Sequence, residues 1–212
     1  KIAFLTNIRQ KPSDQIPTRR SRGHLPLRFL QGNRSPAEFA AEVAREAAEY
    51  NGFNLVLVDV CSRSMVYVTN SGGGECLATE VPAGLHVLSN ASLDTPWPKA
   101  QRLRECFGEY LRRNSEAPEL PLKEMAEKIM TNSIKDEDAS LLPGILSPQW
   151  EFAASSVFVD IHTPLGRYGT RSTSVLSVNT SGMVEFYERH LVDESNHWEE
   201  HTLSYQINQA DV

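Results

Sequence analysis

Two asparagines carry side chains that could do chemistry, because each comes directly after an apolar run. Asn7 follows "IAFLT", and Asn90 follows residues 85–88 and one serine in "LHVLSN". If both runs are strands, each amide stands at a strand end, where it could donate a hydrogen bond to an oxyanion or a carbonyl oxygen. Asparagine is also an ordinary turn residue, since it tolerates left-handed backbone and bonds its own backbone. From residue types alone, the turn is favoured at both positions.

The other residue types that often carry chemistry predict no complete site. His197 and His201 have the i, i+4 spacing of a helical zinc pair, but they lack an HExxH motif and run into a predicted strand. The three cysteines have no sequence neighbour that would activate a thiol, and no G-x-S-x-G elbow occurs. Catalytic residues are therefore unknown from residue types, and no metal site is expected.

A basic cluster lies in the polar, proline-containing segment 8–22. It consists of Arg19, Arg20 and Arg22. Guanidinium groups at this spacing could bind a phosphate. A solvated loop explains the same residues and is the favoured interpretation.

Trp97 stands between two prolines at the entry to a predicted helix over about residues 96–113. The prolines restrict φ there, and Asp94 or Thr95 is expected to cap the helix. The indole is expected to pack this helix against a sheet and to fix the loop that carries Asn90.

The clearest helix signal is "SPAEFAAEVAREAAEYNG". Ser35 is a predicted N-cap, Pro36 occupies the first turn, and Glu38 completes a capping box. The alanine-rich body has high helix propensity, and the Asn-Gly pair at 51–52 can end the helix with positive φ.

Strands and helices fall into separate blocks along the chain, and hairpins dominate. This segregation predicts an α+β fold, in which helices cover antiparallel sheets, within a single domain over residues 1–212. Residues 71–75 are expected to be a flexible glycine-rich link, and residues 135–149 an acidic connection. Strands are predicted at 1–6, 53–59, 65–69, 85–88, 155–161, 170–178, 183–189 and 202–207, and further helices at 23–30 and 122–131.

Composition excludes some classes of partner. The chain has 212 residues and a net charge of −6, so nucleic acid is not an expected partner. No apolar run approaches the roughly 20 residues that span a bilayer. Three unpaired cysteines favour a reducing compartment. Lys1 is not a start methionine and lies within a predicted strand, so we expect a longer protein whose natural N-terminus is missing here.

Several motifs resemble one family over almost the whole chain, the Transport and Golgi organization protein 2 family, also called the NRDE family. The matching segments are "KIAFLTN", "YNGFNLVLVDVCSRSMVYVTN", "GLHVLSNASLDTPWPK", "GRYGTRSTSVLSV" and "HWEEHTLSYQI". The likeness is greatest to plant members. Family members begin Met-Cys and carry an Asn-Arg-Asp-Glu motif soon after, and this sequence contains neither.

The resemblance implies a fold and a set of site residues. The family looks like the N-terminal-nucleophile hydrolases, whose fold is a four-layer αββα sandwich of antiparallel sheets. By this likeness, Asn7 and Asn90 match positions that hold the oxyanion and substrate. His86, Trp97 and Arg171 are expected to line the same pocket, and the nucleophile is absent from this chain.

The resemblance also implies a function. It is non-enzymatic intracellular trafficking of haem or another hydrophobic, lipid-like ligand, with a role in Golgi organisation and protein secretion. Haem would be cargo, and no cofactor is certain. The implied location is cytoplasmic, mitochondrial or Golgi-associated. The alternative is a cysteine N-terminal-nucleophile amidohydrolase whose nucleophile lies upstream of Lys1.

Overall fold

The computed structural model describes residues 1–70, 76–192 and 196–207 of the chain. These residues group into two compact units, Lys1–Thr95 and Pro96–Val212. The single domain and the four-layer sandwich stay predictions. The predicted glycine-rich link at 71–75 lies outside the described residues.

The first unit is built on an antiparallel sheet of four strands in the order β1-β2-β3-β4. The first three strands and the β2–β3 hairpin confirm the sequence prediction. At the hairpin turn, the Asp59 carboxylate accepts the N–H groups of Cys61 and Ser62, and Arg63 takes a left-handed φ of 52°. The strands are β1 Ile2–Asn7, β2 Phe53–Asp59, β3 Ser64–Thr69 and β4 Leu77–Glu80.

Two helices, α1 His24–Gln31 and α2 Pro36–Glu46, pack on this sheet. The predicted capping box is confirmed, since Ser35 accepts the Glu38 N–H while the Glu38 carboxylate accepts the Ser35 N–H. A 3₁₀ turn at Ala47–Glu49 follows α2. The core between the helices and the sheet includes Leu25, Phe29, Phe39, Val43, Tyr50, Phe53, Leu55, Leu57 and Val68.

The strand predicted at residues 85–88 is wrong, because this segment has no strand pairing. Its backbone closes locally instead. The Asp94 carboxylate accepts the Val87 N–H at 2.9 Å, and the Asp94 N–H donates to the Val87 carbonyl at 2.8 Å. The apolar run therefore forms the base of a compact loop.

The second unit begins with the helix α3, Pro98–Arg113, two residues later than predicted. The predicted caps are also wrong. Trp97 is the N-cap residue, and Asp94 instead serves the loop before it. The predicted α4 is confirmed at Leu122–Ile129.

Helix α5, Pro148–Ala153, was not predicted from the sequence. Ser147 caps it by accepting the Trp150 N–H. The buried Glu151 carboxylate accepts the N–H groups of Ile145 and Leu146, which fixes the preceding loop. Glu151 therefore fixes the end of the acidic connection predicted at residues 135–149.

The second unit carries two sheets, a β5–β6 hairpin and the three-stranded antiparallel sheet β7-β8-β9. The hairpin predicted around residues 179–182 is confirmed. Residues 155–159 of the strand predicted at 155–161 are not strand, and the Ser155 and Ser156 hydroxyls bond nearby carbonyls there. The strands are β5 Asp160–Thr163, β6 Gly166–Gly169, β7 Ser172–Val178, β8 Met183–Leu191 and β9 Trp198–Gln206.

The two faces of the β7–β9 sheet differ. One packs against α4, where Tyr187 and Val175 meet Leu122 and Ala126. Cross-strand partners share a face, and so do alternate residues of a strand, so the register fixes four rows on the other face. They are Val178–Val184–Tyr205, Leu176–Phe186–Leu203, Ser174–Glu188–His201 and Ser172–His190–Glu199.

Mixed helices and antiparallel sheets agree with the predicted α+β class. Among the described residues, none of the helices combines the length and the apolar character that crossing a membrane requires.

Candidate functional site

The candidate site is the loop at residues 89–93, which a buried polar network fixes to the first sheet. Its centre is Asn54 on β2, whose side chain is fully buried. The Asn54 amide donates to the Ala91 carbonyl at 2.8 Å and to the Thr6 hydroxyl at 3.1 Å. One side chain therefore joins the loop to two neighbouring strands.

Two hydroxyl groups of β3 complete the network. Tyr67 and Thr69 both donate to the Asn54 side-chain oxygen, at 2.7 and 2.9 Å. The Tyr67 oxygen also accepts the Leu93 N–H at 3.2 Å. Because every polar atom of Asn54 has a partner, burying this amide adds specificity without leaving an unpaired group.

The predicted pair Asn7 and Asn90 comes together at the strand end. The Asn90 amide donates to the Asn7 carbonyl at 2.8 Å, and the Asn90 carbonyl accepts the Arg9 N–H at 2.7 Å. The Thr6 hydroxyl donates to the Ser89 carbonyl at 2.7 Å. The Asn90 amide thus helps to dock its own loop.

The Asn7 side chain behaves differently from that of Asn90. Asn7 is exposed, and within residues 1–70, 76–192 and 196–207 no hydrogen bond of its side-chain amide is found. Of the two predicted donors, Asn7 is the one whose amide faces water.

His86 lies three residues before this loop. Its Nδ1 lies 2.7 Å from the Asp94 carboxylate, and its Nε2 lies 3.0 Å from the Pro82 carbonyl. A ring nitrogen that donates its N–H to such an acceptor has no lone pair to offer a metal. To ligate an iron or another metal, His86 would first have to give up one of these contacts.

Trp97 and Arg171 belong to the second unit. Trp97 is half-buried, and its carbonyl accepts the N–H groups of Ala100 and Gln101 in the first turn of α3. The Lys99 ammonium lies 5.9 Å from the centre of the Trp97 ring. Arg171 is exposed just before β7, and its carbonyl accepts the Leu191 N–H at 2.7 Å. Both residues therefore help to start a regular element.

The arginine cluster is used inside the first unit. Arg19 donates to the Tyr50 carbonyl and Arg22 to the Gly52 carbonyl, both at 2.9 Å. Arg20 pairs with Glu49 at 2.8 Å. Burial lowers the pKa of the Arg22 guanidinium. These contacts tie segment 8–22 to the turn between α2 and β2, and they support the interpretation as a loop.

Sequence reasoning missed the residues that hold the loop, above all Asn54. One signal was present, since Asn54 interrupts the otherwise apolar run "FNLVLV" of a strand that is buried along most of its length. The zinc pair His197 and His201, already discounted on the sequence, does not lie on a helix. His201 is part of the strand β9, and His197 precedes it.

Comparisons with known proteins agree on one family. The family described as Transport and Golgi organisation 2 matches residues 1–193. The mouse Transport and Golgi organization 2 homolog is 28% identical over 215 residues, covering 98% of this chain and 75% of the mouse protein. The human Transport and Golgi organization protein 2 homolog is 29% identical over 214 residues, with the same two coverages. Since the match extends over nearly the whole chain, this protein belongs to the Transport and Golgi organisation 2 family.

Proposed function

We propose that this protein carries a hydrophobic small molecule, with haem as the first candidate, in a non-enzymatic transport process that supports Golgi organisation and protein secretion. The names of its mouse and human relatives contain both transport and Golgi organization. These names mention neither a ligand nor catalysis, so both of those parts belong to the proposal alone.

The observation that carries the ligand proposal is an apolar strip on the β7–β9 sheet. The strip consists of the two apolar rows Val178–Val184–Tyr205 and Leu176–Phe186–Leu203. On the edge strand β9, Leu203 is 59% exposed and Tyr205 is 57% exposed, whereas Val184 on β8 is buried. Neighbouring exposed apolar side chains are typical of surfaces that bind a ligand, a protein or a membrane. Aromatic and aliphatic side chains on one face of a sheet suit a hydrophobic molecule such as a porphyrin.

In the loop at residues 89–93, Asn90 is not available as a catalytic donor, whereas the side chain of Asn7 beside it is exposed. The Asn90 amide is engaged with the Asn7 carbonyl, and both nitrogens of His86 face acceptors. An oxyanion donor or a general base needs a group aimed at the substrate. The side chains of Asn90 and His86 instead bond the protein around them.

Haem titration tests the proposal. Haem added to the protein should shift the Soret band, with a dissociation constant of about a micromolar, and apomyoglobin should then remove the haem. Leu203→Lys should weaken binding about tenfold, because a buried leucine contributes about 1.5–3 kcal/mol. His86→Ala should leave affinity unchanged, because its ring nitrogens are already engaged.

Leu165→Lys is the matched control, since Leu165 is fully exposed on the β5–β6 turn, away from the strip. Equal weakening by both leucine variants would remove the strip from the proposal. A wild-type protein without a Soret shift would overturn the carrier proposal. Acyl-amide turnover that survives alkylation of Cys61, Cys76 and Cys106 would overturn the assignment of a cysteine nucleophile upstream of Lys1.

A further inference from the structure

The two polar rows next to the apolar strip bring three residues that can ligate a metal close together. His190 on β8 pairs directly with Glu199 on β9, and His201 follows Glu199 by two residues on the same face. One ligand atom from each residue lies within 4.8 Å of the others. The two imidazole rings stack at 5.3 Å with an angle of 12° between them.

Among the described residues, no hydrogen bond engages these three side chains in the way that His86 is engaged. The Nδ1 of His190 is buried and has no hydrogen-bond partner among the described residues. Its Nε2 lies 3.9 Å from the Glu199 carboxylate, which is too far for a hydrogen bond. A buried ring nitrogen without a partner is costly, and a cation bound at Nδ1 would remove that cost.

From this geometry we infer that His190, Glu199 and His201 form a binding site for a divalent transition metal, with zinc as the ion that its donors suit. Two imidazoles and one carboxylate are common zinc ligands, and they leave a position open for water. Zinc bonds of about 2.0–2.1 Å place ligand atoms about 3.4 Å apart. Side-chain rotations that move the ligand atoms by about 1 Å would close the site.

The site has a consequence for the sheet. β9 is the edge strand of β7-β8-β9, and it pairs only with β8 among the described strands. His190 comes from β8, whereas Glu199 and His201 come from β9, so a bound ion would join the edge strand to its neighbour. Zinc should therefore raise the melting temperature, since it binds the folded chain.

Zinc titration of the full chain tests the inference, with all three cysteines first replaced by serine so that thiols cannot bind the metal. Calorimetry should give one zinc ion per chain. His190→Ala, Glu199→Gln and His201→Ala should each weaken zinc binding by at least about tenfold and abolish the rise in melting temperature. Magnesium should not compete, because it prefers oxygen ligands.

His162→Ala is the control, since His162 is an exposed strand histidine on β5, outside the cluster. It should bind zinc like the parent chain. Far-UV circular dichroism and melting without metal establish that each variant is folded, and His201 and Glu199 are exposed enough to be replaced without loss of core. A parent chain that binds no zinc at tens of micromolar would overturn the inference. So would ligand variants that bind like His162→Ala.

Discussion

Asn54 shows how a single buried polar side chain can position a loop that has no regular structure. Its amide and its carbonyl oxygen have partners on β1, on β3 and in the loop at residues 89–93. Asn90, the residue that stands out in the sequence, makes one amide contact at the margin of this network. The more buried asparagine is therefore the more important one for the fold.

Asn54→Ala should lower the free energy of unfolding by about 2–4 kcal/mol, because it leaves several buried hydrogen-bonding groups without partners. Asn90→Ala should lower it by only about 1 kcal/mol, because its single bond lies near solvent. Urea denaturation measures both values. If Asn90→Ala proves as destabilising as Asn54→Ala, then Asn54 is not the centre of the network.

Tyr67→Phe checks the same network by a smaller change. It removes the hydroxyl that bonds both Asn54 and the Leu93 N–H while keeping the ring. Its effect should not add to that of Asn54→Ala, since the two side chains share one interaction.

At the scale of elements, the sequence predicts those whose signals are local. The helix α2 carries its own cap, the β7–β8 hairpin alternates apolar and polar residues around its turn, and the β2–β3 hairpin joins two apolar runs by a polar turn. Prediction fails where a side chain a few residues away bonds the backbone. Residues 85–88 look like a strand, but the Asp94 carboxylate accepts the Val87 N–H, and the buried Glu151 carboxylate accepts the Ile145 N–H in the loop before α5.

The capping box of α2 should make stability depend on pH. The Ser35 backbone N–H and then its hydroxyl hold the pKa of Glu38 below the ordinary 4.5. A carboxylate with a lowered folded-state pKa stabilises the protein above its ordinary pKa. This stability is lost as pH falls through the lowered value.

Glu38→Gln lacks this charge, so its melting temperature should fall below that of the wild type at neutral pH and approach it as pH drops below 4.5. Melting curves at several pH values, with a carboxyl NMR titration of Glu38, measure both effects. Parallel melting profiles for the two proteins across this range would contradict the assignment.

At the scale of the whole molecule, the chain presents two compact units, each with its own buried clusters. The sequence predicted a single domain, and it contained no composition break near residue 95 that would suggest otherwise. Asn7, Asn90 and His86 belong to the first unit, whereas Trp97 and Arg171 belong to the second. Contacts between distant segments decide such a grouping, and local patterns do not encode them.

Unfolding can test whether the two units act as one domain. All three tryptophans, Trp97, Trp150 and Trp198, belong to the second unit, whereas Asn54 belongs to the first. In a single cooperative domain, Asn54→Ala should lower the urea midpoint of tryptophan fluorescence as much as that of circular dichroism. A fluorescence midpoint that does not move would show two units that unfold separately.

The side-chain anchoring of the loop at residues 89–93 has a consequence for hydrogen exchange. Irregular loops usually exchange their amide hydrogens quickly, because small local openings expose them. Here the Leu93 N–H donates to the Tyr67 hydroxyl of the sheet, and the Arg9 N–H donates to the Asn90 carbonyl of the loop. Exposing them requires release of Asn54, so this stretch should take up deuterium on the slow time scale of β2 and β3. A ligand that rearranged the loop would then make deuterium uptake faster at residues 89–93, although this segment contains neither helix nor strand.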